Sequence, residues 1–183
     1  MTSTQKAIIP GLALGILILV LLSRLINPTI IAEAATEAVA LNKGSGSCEF
    51  FDRYPSKVQP WCGLIEQAAS KHGVDALLIA SVMLQESGGQ PEIMSTSGAV
   101  GLMQVMPRDG IAAQFQCING PCFASRPSIE ELKDPAFNVA YGVRMLAGLI
   151  ERCGDIREAL KSYGPYDVGY RYADQVLTIR NSL

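Results

Sequence analysis

Beyond residue 60 the chain is cut into short helical lengths by its own punctuation. Over 61–71 the apolar residues Leu64, Ile65, Ala68 and Ala69 recur at helical spacing, and Gly73 stops the run. Asp75 is an N-cap for 76–86, which Gly88-Gly89 terminates. Asp134-Pro135 sets a cap and a first-turn proline ahead of a segment reaching Arg152, with Gly154 as its stop. Asp155 caps a further helix to Tyr163, and a last one spans 168–179. Alternating strand patterns are scarce, and no internal repeat or low-complexity tract is present. The expected fold class is mainly α: a compact helical domain over 48–183, large enough for its own core.

The first 47 residues read differently. Residues 7–22 form an almost unbroken apolar run, preceded by Lys6 and interrupted by Pro10 and two glycines. A spanning helix needs about 20 residues, which a continuation past Arg24 to Ile31 would reach. The competing reading is a signal peptide with Ala32-Glu33-Ala34 as its A-x-A cleavage site. Residues 1–26 are therefore expected to be a hydrophobic anchor or a signal segment, and either one exports the rest of the chain. Residues 27–47, rich in Ala, Thr, Gly and Ser, read as a flexible linker. Residues 48–183 are the exported domain, placed in the cell envelope or secreted.

Charge and cysteine usage narrow the function. Fifteen Lys and Arg against seventeen Asp and Glu give a net charge of −2, with no like-charge run longer than two. That gives no support to a nucleic-acid partner, whose recognition is built on clustered cations. The single histidine, His72, removes multi-histidine zinc sites, so no metal or cofactor is expected. The five cysteines contain no C-x-x-C pair. Cys117 and Cys122 flank an Asn-Gly-Pro turn signal that brings them together, and Cys48 with Cys62 is the second candidate disulfide. One thiol is left over on any pairing.

Glu86 is the first candidate for chemistry. On a helix it shares a face with Ile79, Val82 and Met83, so it projects from the apolar side. It also lies at the C-terminal end, where the helix dipole disfavours negative charge. Both effects raise a carboxyl pKa and keep it protonated near neutrality, the state that a general acid needs.

Around this glutamate stands a specific order of residues. Glu86-Ser87 is followed by Ser95-Thr96-Ser97-Gly98-Ala99-Val100 and then Gly101-Leu102-Met103-Gln104-Val105-Met106-Pro107. Next come Asp134-Pro135 with Asn138 and Gly142, and finally Ala159 with Tyr163-Gly164-Pro165. In this order the blocks resemble the soluble lytic transglycosylase (SLT domain) family of the lysozyme-like superfamily, over about 61–177. The resemblance implies a lysozyme-like, goose-type helical domain acting on peptidoglycan. Glu86 would be the single catalytic acid and base, cleaving between N-acetylmuramic acid and N-acetylglucosamine. Ser95 would contact the sugar near the scissile bond. Met103 and Gln104 would line the groove, with core packing an equal reading for Met103; Ser87 would sit in the same shell in a more structural role, and Tyr163 would hold Glu86 or the sugar. Asn138 and Gly142 read as structural. Since the substrate's own N-acetyl and C6 hydroxyl groups do the work of a second carboxylate, the implied products are 1,6-anhydromuramoyl ends.

Two departures accompany the resemblance. The family's Tyr-Asn-x-Gly is Tyr163-Gly164-Pro165 here, and the connection between Pro107 and Asp134 is long. The long connection is read as a disulfide-pinned lid over one end of the groove. Two alternatives stay open. One is a hydrolytic, goose-type-lysozyme-like muramidase with Asp109 or Glu92 as base. The other is a peptidoglycan-binding or assembly module without turnover.

Overall fold

The computed structural model describes residues 48–183, and the anchor and linker expectations lie outside these residues. Six α-helices follow one another: α1 (Cys62–His72), α2 (Ala76–Ser87), α3 (Ile129–Leu132), α4 (Pro135–Cys153), α5 (Ile156–Tyr163) and α6 (Arg171–Ser182). Between α2 and α3 lies a two-stranded antiparallel hairpin, β1 (Gln116–Cys117) and β2 (Gly120–Pro121). The mainly α class is borne out. Among the described residues, no helix is long and apolar enough to cross a membrane.

The predicted caps form as side-chain hydrogen bonds. Asp75, Asp134 and Asp155 each accept from a backbone N–H of their helix, at 3.2, 2.8 and 2.9 Å. Gly73, Gly88 and Gly154 close α1, α2 and α4 in the left-handed region that suits glycine. Two boundaries differ from expectation. The last helix begins at Arg171 rather than 168, because Gly169, at φ +57°, breaks the chain after a turn of 3-10 helix at Tyr166–Val168. Helix α3 was not anticipated, although Ser128 and Glu131 form a reciprocal capping box at its start.

α2 is the core helix, with Leu78, Ile79, Ala80, Ser81, Val82 and Met83 all buried. It packs between α1 and α6, while α4 lies against α1, α3 and α5, and α5 against α6. The Arg180 side chain bridges to Asp75 at 2.6 Å, tying the end of α6 to the start of α2. Disulfides join Cys48 to Cys62 and Cys117 to Cys122, and Cys153 remains as an exposed thiol.

Candidate active site

Glu86 occupies the last turn of α2, above Ile79, Val82 and Met83, which are fully buried. Burial pushes its carboxyl from 4.5 up to about 7, and a hydrogen bond from Tyr172 pulls in the opposite direction. The Tyr172 hydroxyl donates to Glu86 Oε1 at 2.5 Å. A carboxyl poised near neutrality can give a proton and take one back. No other acidic group contributes to its shift.

Tyr172 lies in the first turn of α6, and its ring rests on Gly164 at the end of α5. A Cβ at position 164 would fall 2.4 Å from Tyr172 Cγ and 2.5 Å from Cδ1. The departure at Tyr163-Gly164-Pro165 thus has a physical reason: the space an asparagine side chain would enter is filled by the Tyr172 ring. Burial, followed by the Glu86 charge, raises the Tyr172 phenol well above its ordinary value, so it remains a donor.

Tyr163 was expected to hold Glu86 or the sugar. Its hydroxyl instead donates to the Met103 carbonyl at 2.9 Å, and the bond to Glu86 comes from Tyr172. Tyr163 still belongs to the same neighbourhood, because burial first and the Glu86 charge second push its phenol up.

The loop after α2 forms the adjoining wall. Val100 and Val105 exchange backbone hydrogen bonds at 3.0 and 3.1 Å, closing a tight turn over Gly101–Gln104. Gln104, at φ +43°, is the one non-glycine residue with positive φ among the described residues. Its Nε2 donates to Ile93 O (3.2 Å) and Gly101 O (3.0 Å), offsetting the strain of a left-handed backbone. Ser95 Oγ accepts from Ala99 N–H at 2.9 Å and shapes the neighbouring turn. Both residues are partly exposed.

Two residues expected around the site, Met103 and Ser87, are buried. Met103 is fully buried, and a Cβ on Gly142 would fall 2.5 Å from Met103 Cβ, so its side chain packs beneath α4 rather than lining a groove. Ser87 is also buried, with Oγ 3.0 Å from Met83 O and 2.8 Å from Leu102 O while accepting from Gly89 N–H. It fastens the end of α2 to the loop and has no face left for a ligand.

Beneath the loop, Asn138 of α4 is fully buried. Its Oδ1 accepts from Met103 N–H (2.8 Å), and its Nδ2 donates to Val100 O (2.8 Å) and Leu132 O (3.0 Å). Gly101 must be glycine here, since a Cβ would fall 2.4 Å from Asn138 Nδ2.

Of the two candidate second carboxylates, one is engaged elsewhere. Asp109 accepts from Ile129 N–H at 2.8 Å, closing the base of the 107–134 connection, and Glu92 is exposed. No group of three or more His, Cys, Asp or Glu among the described residues could hold a metal ion.

Tyr172 is the site residue that sequence reasoning missed. Tyr172, Ala173 and Val176 are the buried face of α6. A tyrosine on such a face needs a hydrogen-bond partner for its hydroxyl. An apolar-facing Glu86 supplied half of that signal, but nothing in the sequence pairs residues so far apart.

A mainly helical domain presenting one shielded carboxyl, held by a tyrosine beside a strained glutamine turn, defines the class. The family model "Transglycosylase SLT domain" matches residues 63–169, and the chain belongs to that family. An endo-type membrane-bound lytic murein transglycosylase A from Klebsiella pneumoniae is 35% identical over 91 residues, covering 50% of this chain and 43% of that protein. A membrane-bound lytic murein transglycosylase E from Buchnera aphidicola is 39% identical over 89 residues, covering 49% and 39%. The chain thus spans less than half the length of these curated relatives. An X-ray structure of an inactive mutant of the lytic transglycosylase Slt from Pseudomonas aeruginosa aligns with a TM-score of 0.49 at 19% identity, covering 64% of this chain and 22% of that one.

Proposed function

We propose that this domain cleaves the β-1,4 bond between N-acetylmuramic acid and N-acetylglucosamine in peptidoglycan without consuming water. The observation that carries the reading is the state of Glu86: a single carboxyl raised to about 7 by burial, with no second carboxylate contributing to its shift. In the first step protonated Glu86 gives its proton to the glycosidic oxygen. The C1–O bond breaks, the leaving sugar departs as an alcohol, and the substrate's N-acetyl oxygen stabilises the electron-poor C1. In the second step the C6 hydroxyl of the same muramoyl residue attacks C1 and its proton returns to Glu86. The enzyme ends as it began, and the product carries a 1,6-anhydro ring.

The site residues fit these steps. Tyr172 stabilises the carboxylate between the two steps, since its bond favours the charged form. The partly exposed Gln104 and Ser95, on the wall beside Glu86, are proposed to meet the sugar. The relatives' names support an envelope location, with residues 1–26 as membrane anchor or export signal.

The test is a digestion of purified peptidoglycan by the full-length chain beside Glu86→Gln, read by mass spectrometry. Fragments one water lighter than hydrolysis products, absent from the variant, are expected. Reducing-end products would replace this reading with a hydrolase. No products at all would replace it with a binding module.

A further inference from the structure

Helices α2, α3, α4 and α5 each start at a side chain that accepts a hydrogen bond from the first turn. Helix α6 does not. Its N-cap residue is Tyr170, whose side chain makes no capping bond, and the residue before it is Gly169 at φ +57°. An uncapped start behind a glycine is the part of a helix most free to fray. Yet this turn carries Tyr172, whose hydroxyl lies 2.5 Å from Glu86 Oε1. Something other than a cap has to hold it there.

Two residues of the same turn reach back to α5. Asp174 is gripped on both oxygens by Arg157, with Nε 2.7 Å from Oδ1 and Nη2 3.0 Å from Oδ2. Tyr170 donates its hydroxyl to Glu158, while the Arg157 guanidinium lies 4.1 Å and the Lys161 ammonium 4.3 Å from the centre of its ring. One guanidinium thus touches both residues, and they stand two positions before and two after Tyr172. A single exposed ion pair stabilises little. A planar fork closed on a carboxylate and stacked on an aromatic ring is different, because it admits few geometries. The hydrogen bond from Arg157 is also the main reason that the Asp174 carboxyl lies below its ordinary value. Neither Arg157 nor Asp174 contributes to the shift of Glu86, so any influence on it passes through Tyr172. The groups that act on the Tyr172 phenol are Glu86 from α2 and Tyr163 from α5, and Arg126 acts in turn on Tyr163.

We propose that Arg157 is a positioning residue: by clasping Asp174 and Tyr170 to α5 it fixes the uncapped first turn of α6 and keeps the Tyr172 hydroxyl on Glu86. Its consequence for catalysis rests on the functional reading given above. Released from α5, the turn after Gly169 gains freedom, and the bond from Tyr172 to Glu86 is made for a smaller part of the time. The Glu86 carboxylate then loses support, and the carboxyl holds its proton to a higher pH.

The experiment compares Arg157→Gln, Arg157→Lys and Arg180→Gln in the full-length chain. Arg180 pairs with Asp75 at the far end of α6, so its loss removes an ion pair from the same helix and serves as the control. The Glu86 carboxyl is titrated by carbon NMR of protein labelled at glutamate, with Glu86→Gln identifying the signal, and the pH–kcat/KM profile is measured on peptidoglycan. Arg157→Gln is expected to move the Glu86 midpoint and the alkaline limb upward by about half a unit, roughly a threefold change in the acid constant, with KM unchanged. Arg157→Lys keeps the charge without the fork and recovers part of the movement. Arg180→Gln lowers Tm and moves neither. In a Tyr172→Phe background Arg157→Gln produces no further movement. An unmoved midpoint in Arg157→Gln, an equal movement in Arg180→Gln, or an Arg157 effect that persists without the Tyr172 hydroxyl overturns the inference. So does a rise in KM with an unmoved midpoint, which would make Arg157 a substrate contact. Absence of anhydro ends from the wild-type digestion would refute the functional reading alone, since the carboxyl titration needs no turnover.

Discussion

Replacing Glu86 with glutamine should stabilise the domain, and only at higher pH. The folded-state pKa of about 7 lies above the ordinary 4.5. Between those values the folded chain keeps a proton that the unfolded chain has released, so stability falls as pH rises. The loss begins near the lower value and is complete above the upper one. A gap of about 2.5 pKa units corresponds to about 3 kcal/mol at most. Glutamine keeps the shape of the side chain without the charge, so Glu86→Gln recovers this amount above about pH 7 and nothing below about pH 4.5. For a domain of roughly 140 residues, an unfolding entropy of about 2 cal/mol/K per residue converts it to about 10 °C in Tm. The assay is thermal unfolding of both proteins, followed by circular dichroism at about pH 4 and about pH 8. A Tm gap that is the same at both values, or a variant less stable at the higher one, would refute the argument that burial raises this carboxyl.

Further expectations follow from the residues around it. Tyr172→Phe removes a charge-assisted bond of about 1.5–3 kcal/mol, raising the Glu86 pKa by about one to two units. The alkaline limb of the pH–kcat/KM profile should therefore move upward, and an unmoved limb would contradict the assigned bond. Gly164→Ala places a Cβ against the Tyr172 ring, so its alkaline limb should move the same way; a profile identical to wild type would mean that the ring adjusts without losing Glu86. Asn138→Ala strands three backbone groups and should cost about 3 kcal/mol or more in urea unfolding. A loss under about 1 kcal/mol would show that water replaces the amide. Deleting 116–125 should change the cleavage pattern on long strands if the disulfide-pinned hairpin is a lid, and an unchanged pattern and rate would dispose of that idea.

Local chemistry was legible in the sequence, and long-range pairing was not. The caps at Asp75, Asp134 and Asp155 and the stops at Gly73, Gly88 and Gly154 act within a few residues, so the helices they bound were readable. The four residues of α3 are too few to show periodicity, and only the Ser128–Glu131 box announced them. The setting of Glu86 followed from its own helix face. Its partner did not, because Tyr172 reads as core until the buried hydroxyl is asked where its bond goes. The placement of Met103, open in the sequence between core and groove, is a related case. Its burial and the partial exposure of Gln104 accompany a positive φ at Gln104, a backbone choice that residue type alone does not announce.

The Asn138 amide has a consequence for cooperativity. One side chain satisfies Met103 N–H and the carbonyls of Val100 and Leu132 together, all of them away from water. Releasing any one of them by a small outward movement of the loop disturbs the others, so a half-opened state is poorly supported. The wall beside Glu86 then has two conditions, seated or lost with the fold. The Met103 amide should accordingly exchange its hydrogen at the rate of global unfolding rather than through local fraying. Heat should abolish catalysis at the temperature where the helices melt, with no earlier loss.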